Sequence, residues 1–338
     1  MVSSKILRLS SHILLKDIVT SILDSPELAA KRPICQIASL FELDKPNQKY
    51  ALPGDDCAAF THDNGFDLLA SEGIQPHFLA SDPWLAGWSA VMANISDIAA
   101  MGGQPTGIVS TLWHHDSEVA KTICKGIKNA CDVFNIWYGG GHLNIAPSNS
   151  ANLSVAIHGK ADKLLSCWHL EPDMSIYALT SLQGHWQSDN LYWNCVSERA
   201  REDLRQDWLL PHTVANRELA CAAKDISNAG IVGTLIMMAE LTTRGLDINL
   251  DAIRPPAGVE FTDWLRAFQS YGFVFCCASH QAQKLEAFFE SSHLTLQKIG
   301  KVRQDKNVNL HWNGDSATIW QFDKESLTGL SKREGGNV

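Results

Sequence analysis

The sequence lacks the features of a secreted or membrane-spanning protein. Its 338 residues include no uninterrupted apolar run of the length that a membrane span requires. Residues 1–12 lack the apolar segment and the small-residue cleavage site of a signal peptide. The nine cysteines are scattered and include no C-x-x-C pair, so neither a disulfide framework nor a zinc site is indicated. We therefore expect a cytoplasmic protein that has no membrane partner.

A basic surface is also absent, because the formal net charge is −9. General nucleic-acid binding requires a positively charged face, so we expect no nucleic-acid partner. The same acidity constrains any polyphosphate ligand, because cations must accompany such a ligand into its site. A divalent metal held by carboxylates is the usual solution in proteins.

The length allows two domains of ordinary size, and hydrophobic residues at 45% indicate a globular chain. The composition changes near residues 159–162, which predicts one domain over 1–160 and a second over 161–330. Residues 331–338 are expected to form a disordered tail. Predicted strands and helices mix without a strict βαβα order, which favours the α+β class. In the second half, apolar spacing predicts helices at 197–205, 213–224 and 229–243.

Two adjacent carboxylates follow a glycine in the run Gly54-Asp55-Asp56. Mg²⁺ prefers carboxylate and phosphate oxygens, so this loop suits a hard-cation site. An ordinary aspartate-rich turn before a strand is the alternative interpretation.

Asp97 is the only charged residue in the apolar helical run 91–101. Burying an unpaired carboxylate is costly, so Asp97 requires a cation or a hydrogen-bond network. Asn94 lies one helical turn earlier and shares the same face. A structural salt bridge to a lysine or arginine is the alternative.

Two glycine-containing segments complete the candidate site. Gly139, Gly140 and Gly141 predict a turn between two strands, followed by His142, which either contacts phosphate or metal or has a structural role. Asp225 precedes the helix predicted at 229–243, and Ser227 or Asn228 is its expected N-cap. Because helix N-termini attract anions, Asp225 is placed to hold a metal that bridges to phosphate, or else it caps the helix.

These segments, in this order, resemble the superfamily of AIR synthase (PurM), selenophosphate synthetase, thiamine-monophosphate kinase and HypE. The resemblance covers about residues 50–240. The runs 82–87, 94–105, 140–142 and 225–233 are most similar to selenophosphate synthetase, whereas Gly54-Asp-Asp-Cys-Ala58 is closer to thiamine-monophosphate kinase.

The resemblance implies a two-domain PurM-like α+β fold, whose N-terminal domain forms a homodimer through its sheet and whose C-terminal domain is an α/β sandwich. It implies ATP and Mg²⁺ as cofactors and a small molecule as substrate. The implied metal ligands are Asp56, Asp97 and Asp225. The residues expected to assist in nucleotide binding are Gly54, Asp55, Glu72, Asn94, Gly140, Gly141, His142 and Asn228.

The sequence departs from the known branches at three positions. Lys16 is the candidate for the reactive lysine of selenophosphate synthetases, but it has no cysteine neighbour. His142 stands where thiamine-monophosphate kinase has aspartate, and Glu72 also replaces a usual aspartate. The resemblance therefore predicts an ATP- and Mg²⁺-dependent phosphotransferase or ligase of open substrate. The alternative is a nucleotide-binding regulatory or scaffold dimer that has lost catalysis.

Overall fold

The computed structural model describes residues 13–40, 53–146, 151–187 and 191–331. Their contacts divide them into two compact units, neither of which is continuous in sequence. Unit 1 comprises the described residues up to 40, those of 167–195 and those from 220 onward, whereas unit 2 comprises those of 53–166 and 196–219. The predicted domain limits, 1–160 and 161–330, stay a prediction. Residues 332–338 of the predicted tail lie outside the described residues.

The helices and strands alternate along the chain without a regular βαβ repeat. The described helices are α1 (Leu15–Leu23), α2 (Pro26–Ala29), α3 (Ile34–Leu40), α4 (Pro76–Ser81), α5 (Pro83–Ala100), α6 (Ser117–Phe134), α7 (Arg201–Asn216), α8 (Gly230–Glu240), α9 (Phe261–Arg266) and α10 (Ala282–Phe289). The described strands are β1 (Ala58–His62), β2 (Gly65–Ile74), β3 (Gln104–His114), β4 (Trp137–Ile145), β5 (Asn152–Ala161), β6 (Ser175–Thr180), β7 (His185–Trp186), β8 (Tyr192–Asn194), β9 (Ala222–Asp225), β10 (Gly245–Asn249), β11 (Phe268–Gln269), β12 (Gly272–Cys277), β13 (Thr295–Arg303), β14 (Asn307–Trp312) and β15 (Asp315–Gln321). No helix among the described residues is long and apolar enough to cross a membrane.

Unit 2 is built on a five-stranded sheet in the order β1-β2-β5-β3-β4. Burial alternates along β3 and β5, as expected for strands with one covered face. The buried face packs against α5, which also packs against α6. Gly87 and Gly126 make this approach possible, since a Cβ at either position would lie 2.2 Å or less from a backbone oxygen of the facing helix.

Unit 1 contains a seven-stranded sheet in the order β15-β14-β10-β13-β6-β12-β9 and a three-stranded sheet in the order β11-β8-β7. Every residue of β6 and β12 is buried, which is typical of strands covered on both faces. Helix α8 reaches one face, where the Cys276 thiol lies 3.9 Å from the Met238 sulfur. Helix α10 reaches the other, where the Tyr177 hydroxyl donates to Glu286 at 2.6 Å.

The prediction of a separate helix at 213–224 and the prediction of a turn at 139–141 were both wrong. Residues 201–216 form one helix, α7, which continues through Pro211, and residues 222–225 form a strand rather than the end of a second helix. The short apolar run before Asp225 has no periodicity that separates a buried strand from a helix. The predicted glycine turn is also wrong, because residues 139–141 lie inside β4. Strand β4 pairs with β3 on both sides of this segment, at Tyr138 and at Gly141, so the glycines form an irregularity within one strand and not a turn between two.

A buried carboxylate fastens the last described segment to α8. Glu240, the last residue of α8, is 1% exposed. It accepts hydrogen bonds from the Leu327 amide at 2.8 Å and from the Thr328 amide at 2.9 Å. The hydroxyls of Thr328 and Ser326 also donate to it. These donors offset the cost of placing a negative charge at the negative end of a helix.

Glu240→Gln should lower the free energy of unfolding by about 3 kcal/mol, because an amide NH₂ would face several donors in a buried site. Urea unfolding followed by circular dichroism measures the change. Glu290→Gln, at an exposed residue at the end of α10, is the matched control and should change stability little. Equal losses in the two variants would contradict the role of Glu240.

A second carboxylate network lies on the seven-stranded sheet of unit 1. Asp247 accepts from Arg303 at 2.9 Å, from His311 at 3.1 Å and from Asn309 at 3.2 Å. Burial alone would raise the pKa of Asp247, but the hydrogen bonds from Arg303, His311 and Asn309 lower it below the usual value. The ionised form of Asp247 is therefore favoured in the folded chain.

Asp247 should contribute to stability at neutral pH and lose that contribution in acid. Because its pKa is lower in the folded state, the contribution is complete above the unfolded value of about 3.9 and disappears as pH falls through the folded pKa. Asp247→Asn should therefore lower stability at pH 7 and make the loss of stability below about pH 4 shallower. Urea unfolding at a series of pH values measures both effects. A variant with the same acid profile as the wild-type chain would contradict this assignment.

Candidate metal and nucleotide site

The loop from Gly54 to Asp56 opens unit 2. Gly54 has φ +108°, a conformation that favours glycine, and Asp55 forms an isolated bridge with Pro53. The Ser166 hydroxyl donates a hydrogen bond to the Asp55 carboxylate. This bond anchors Asp55 within the unit and orients the loop on which Asp56 lies.

Helix α5 carries Asp97 in its last turn. The helix starts at Pro83 behind an Asp82 N-cap, whose carboxylate accepts from the Leu85 amide at 3.1 Å. It ends in a reversal at Gly102 (φ +76°), where the amide of Gly103 donates to the carbonyl of Ile98 at 2.9 Å. Asp97 is 7% exposed. The helix dipole and the loss of hydration both oppose a negative charge at this position, and a bound cation would offset both.

The structure brings Asp56 and Asp97 together. A carboxylate oxygen of one lies within 4.8 Å of a carboxylate oxygen of the other. Two oxygens that bind one Mg²⁺ at about 2.1 Å lie up to about 4.2 Å apart, so this pair fits the ion with little movement. Two adjacent carboxylates repel each other, and a cation bound between them would offset that repulsion.

Asn94 gives a second indication that a ligand fits here. It is fully buried one turn before Asp97, and its Nδ2 donates to the Ala90 carbonyl at 2.7 Å. Its Oδ1 has no hydrogen-bond partner among the described residues. An unsatisfied buried acceptor costs about 1–3 kcal/mol, which a metal-bound water or the metal itself would recover. The two carboxylates are donors that fit a hard cation, and the unsatisfied Asn94 oxygen lies one helical turn from one of them.

Glu72 and the glycine strand lie elsewhere in unit 2. Glu72 is exposed near the end of β2. Gly141 has φ +149° and must be glycine, since a Cβ there would lie 1.9 Å from the Ser110 carbonyl oxygen at an irregularity of the β3–β4 pairing. His142 is exposed on β4, and its ring centroid lies 5.8 Å from that of Trp113. Neither Glu72 nor His142 belongs to the carboxylate group of Asp56 and Asp97.

In unit 1, Asp225 is the last residue of β9, and α8 begins five residues later. The expected cap at Ser227 or Asn228 is wrong, because the N-cap is Ala229 (φ +99°) and its side chain makes no capping bond. The choice between a metal-binding and a capping role for Asp225 stays a prediction. Gly230 follows with φ +64°, and a Cβ there would lie 2.1 Å from the Leu265 carbonyl oxygen. This tight reversal leaves Asn228 exposed.

Lys16 lies on α1 in unit 1. Its side chain is exposed, and its carbonyl accepts from the Thr20 hydroxyl at 3.0 Å. Its assignment as a catalytic residue stays a prediction. Ser166 carries no local signal in the sequence, because it is 111 positions from its partner Asp55.

Comparison with known proteins agrees with the motifs. Residues 54–161 match the N-terminal domain of AIR synthase related proteins, and residues 178–313 match the C-terminal domain. The uncharacterized protein sll0787 of Synechocystis sp. is 36% identical over 280 residues, which cover 82% of this chain and 86% of that protein.

Solved structures show the same fold. T. maritima PurL complexed with ATP has a TM-score of 0.66 at 16% identity over 82% of this chain, which spans 46% of the PurL chain. AaThiL complexed with AMPPCP and TMP has a TM-score of 0.59 at 19% identity over 83% of this chain and 92% of that one. The predicted two-domain PurM-like α+β fold is thereby confirmed. The chain belongs to the AIR synthase-related family.

Proposed function

We propose that the chain is a Mg²⁺-dependent enzyme that uses ATP to transfer phosphate to a small molecule, or to activate it. The observation that carries this proposal is the Asp56–Asp97 pair, with Asp97 buried in the last turn of α5. A chain of net charge −9 has to attract a polyphosphate through a cation, and these carboxylates suit that purpose.

The proposed metal ligands are Asp56, Asp97 and Asp225. Bound Mg²⁺ would neutralise the phosphate charge, and phosphoryl transfer depends on that neutralisation. The chain's own residues hold and orient this site: Ser166 fixes Asp55. The Asn94 amide oxygen would accept a hydrogen bond from a metal-bound water. The backbone reversal at Ala229 and Gly230 opens α8, whose first-turn amides favour an anion. The proposed nucleotide contacts are Gly54, Gly140, Gly141, Asn228, Glu72 and His142.

Two structural relatives support the nucleotide, because T. maritima PurL is complexed with ATP and AaThiL with AMPPCP and TMP. The acceptor stays open among an alcohol, a phosphate ester, an amide and a carboxylate. Incubating the chain with Mg-ATP and a metabolite pool that includes TMP tests the reaction class. ADP as product would indicate phosphate transfer or ligation, whereas AMP plus phosphate would indicate a dikinase-like route.

Asp97→Asn should abolish Mg-ATP turnover, by at least about a hundredfold, because the metal loses a buried anionic ligand. Its stability should change little or rise, since a buried charge is removed. ADP and AMP release, read by chromatography, measures turnover. Asp132→Asn is the matched control in the same unit, at a carboxylate paired with Lys128 on the surface of α6. If Asp97→Asn turned over Mg-ATP at the wild-type rate, the proposed metal site would be refuted. If Asp225→Asn kept the wild-type dependence on Mg²⁺, Asp225 would not be one of the metal ligands.

A catalytically diverged nucleotide-binding dimer is the second candidate function. Glu72 and His142, two of the replaced positions, are exposed and lie outside the carboxylate pair. Calorimetry that shows Mg-ATP binding, with no product from any tested acceptor, would favour this function over the enzyme.

We also propose that unit 2 forms a homodimer through the face of its sheet that α5 leaves uncovered. This face exposes large apolar side chains, including Phe60, Leu69, Val109, Trp113 and Trp137, at 38–73% of their surface. Exposed apolar patches of this kind mark interaction surfaces. A cytoplasmic location stays a prediction of the sequence.

Val109→Lys should convert the dimer to a monomer, because it places a charge near the middle of the proposed interface. Val109 is 48% exposed, so the fold itself should tolerate the change. Sedimentation velocity measures the mass. Leu209→Lys, at a residue 42% exposed on α7, is the matched control and should stay dimeric. A monomeric wild-type chain would contradict the proposal.

A further inference from the structure

Three tryptophans form a ladder from the core of unit 1 to its surface. Trp264 is fully buried, Trp193 is 3% exposed, and Trp186 is half-buried. The rings of Trp264 and Trp193 meet edge to face at 5.6 Å and 86°. The rings of Trp193 and Trp186 meet at 5.3 Å and 81°. Edge-to-face contacts at these distances are favourable, so each ring holds the next in place.

The three-stranded sheet aligns this ladder. Trp186 lies opposite Trp193 in the antiparallel β7–β8 pair, and Trp193 lies opposite Gln269 in the parallel β8–β11 pair. The Trp193 indole nitrogen donates to the Ser181 carbonyl at 3.0 Å, which fixes the middle ring. Trp186 is therefore a partly accessible aromatic ring whose orientation is set before any ligand arrives.

Strand β11, which carries Gln269, lies beside the loop that follows Asp225. The Gln269 amide donates to the Ile226 carbonyl at 3.4 Å, and the Ile226 amide donates to the Gly272 carbonyl at 2.9 Å. Two strand spacings separate the backbones of Gln269 and Trp186, a distance of about 10 Å. A small acceptor molecule spans a distance of that order.

We propose that Trp186 is a stacking platform for a planar aromatic ring of the acceptor substrate. This inference rests on the proposed function, because it takes the bound ring to be part of the acceptor substrate. Aromatic rings gain from stacking on indole beyond the burial of area, and a pre-oriented ring loses little entropy on binding. The acceptor class narrows from any small alcohol, phosphate ester, amide or carboxylate to one that carries a planar aromatic ring.

Two matched probe pairs test the platform in the full-length chain without nucleotide. Uracil and dihydrouracil carry the same hydrogen-bonding groups but only uracil is planar, and benzyl alcohol and cyclohexylmethanol differ in the same way. Ligand-observed NMR titration measures their affinities. At least one aromatic probe should bind saturably, and about fivefold or more tighter than its saturated partner.

Variants at Trp186 connect this binding to the ring. Trp186→Leu should weaken the aromatic probe about five- to tenfold, whereas Trp186→Phe, which keeps a ring, should stay within about twofold. Phe288→Leu, at a partly exposed ring on α10 of the same unit, is the control for surface rings and should leave the affinity of the aromatic probe unchanged. Thermal unfolding of each variant checks that the fold is intact.

Three results would overturn the platform: no saturable aromatic binding, equal affinity within both probe pairs, or unchanged affinity in Trp186→Leu. Loss of ring binding while the wild-type chain turns over Mg-ATP would count against this inference alone. Ring binding without any Mg-ATP turnover would count against the proposed function alone.

Discussion

The burial of one carboxylate, that of Asp97, constrains unit 2 more than any other single feature. It lies at the negative end of a helix and is 7% exposed, so both the helix dipole and the lost hydration oppose its charge. The Asp56 carboxylate within 4.8 Å adds repulsion instead of relief. A divalent cation bound between the two carboxylates would offset these effects, which is the physical basis of the proposed site.

The rest of unit 2 holds α5 where this pair can form. Glycines at the α5–α6 contact let the two backbones approach closely, and the sheet covers another face of α5. Helix α7 adds polar contacts, since the Trp208 indole donates to Ser96 at 3.3 Å and the His212 Nδ1 donates to the Gly102 carbonyl at 2.8 Å. Small residues along α5 therefore serve close packing, and the rigid helix positions Asn94 and Asp97 relative to each other.

Unit 1 places its polar features at the ends of buried elements. Helix α8 is buried along its whole length, with the Ala229–Gly230 reversal at its start and the Glu240 carboxylate at its end. Glu240 is satisfied by backbone and hydroxyl donors from 326–329, so it has a structural role. The loop after Asp225 instead adjoins the small sheet that carries the tryptophan ladder. The two ends of α8 therefore differ. The buried carboxylate at its end is satisfied within the fold, whereas its start follows the loop that adjoins the small sheet.

Local spacing in the sequence determined part of the candidate site. Asn94 and Asp97 are three residues apart in an apolar helical run, so the helix period alone predicts that they share a face. The family, the α+β class and the two-domain PurM-like fold also followed from motifs and their order. In contrast, the strand at 222–225 was predicted as helix, because a short buried run looks alike in both states.

Only the tertiary structure decided which distant residues meet. Ser166 reaches Asp55 across 111 positions, and Asp56 approaches Asp97, because sheet pairing and helix packing bring those segments together. Residues 139–141 stay within one strand because β4 pairs with β3 on both sides of them, although three glycines by themselves favour a turn. The alignment of Trp186, Trp193 and Gln269 likewise depends on strand register. Local periodicity determines which residues share a face, whereas the pairing and packing of distant segments determine what that face meets.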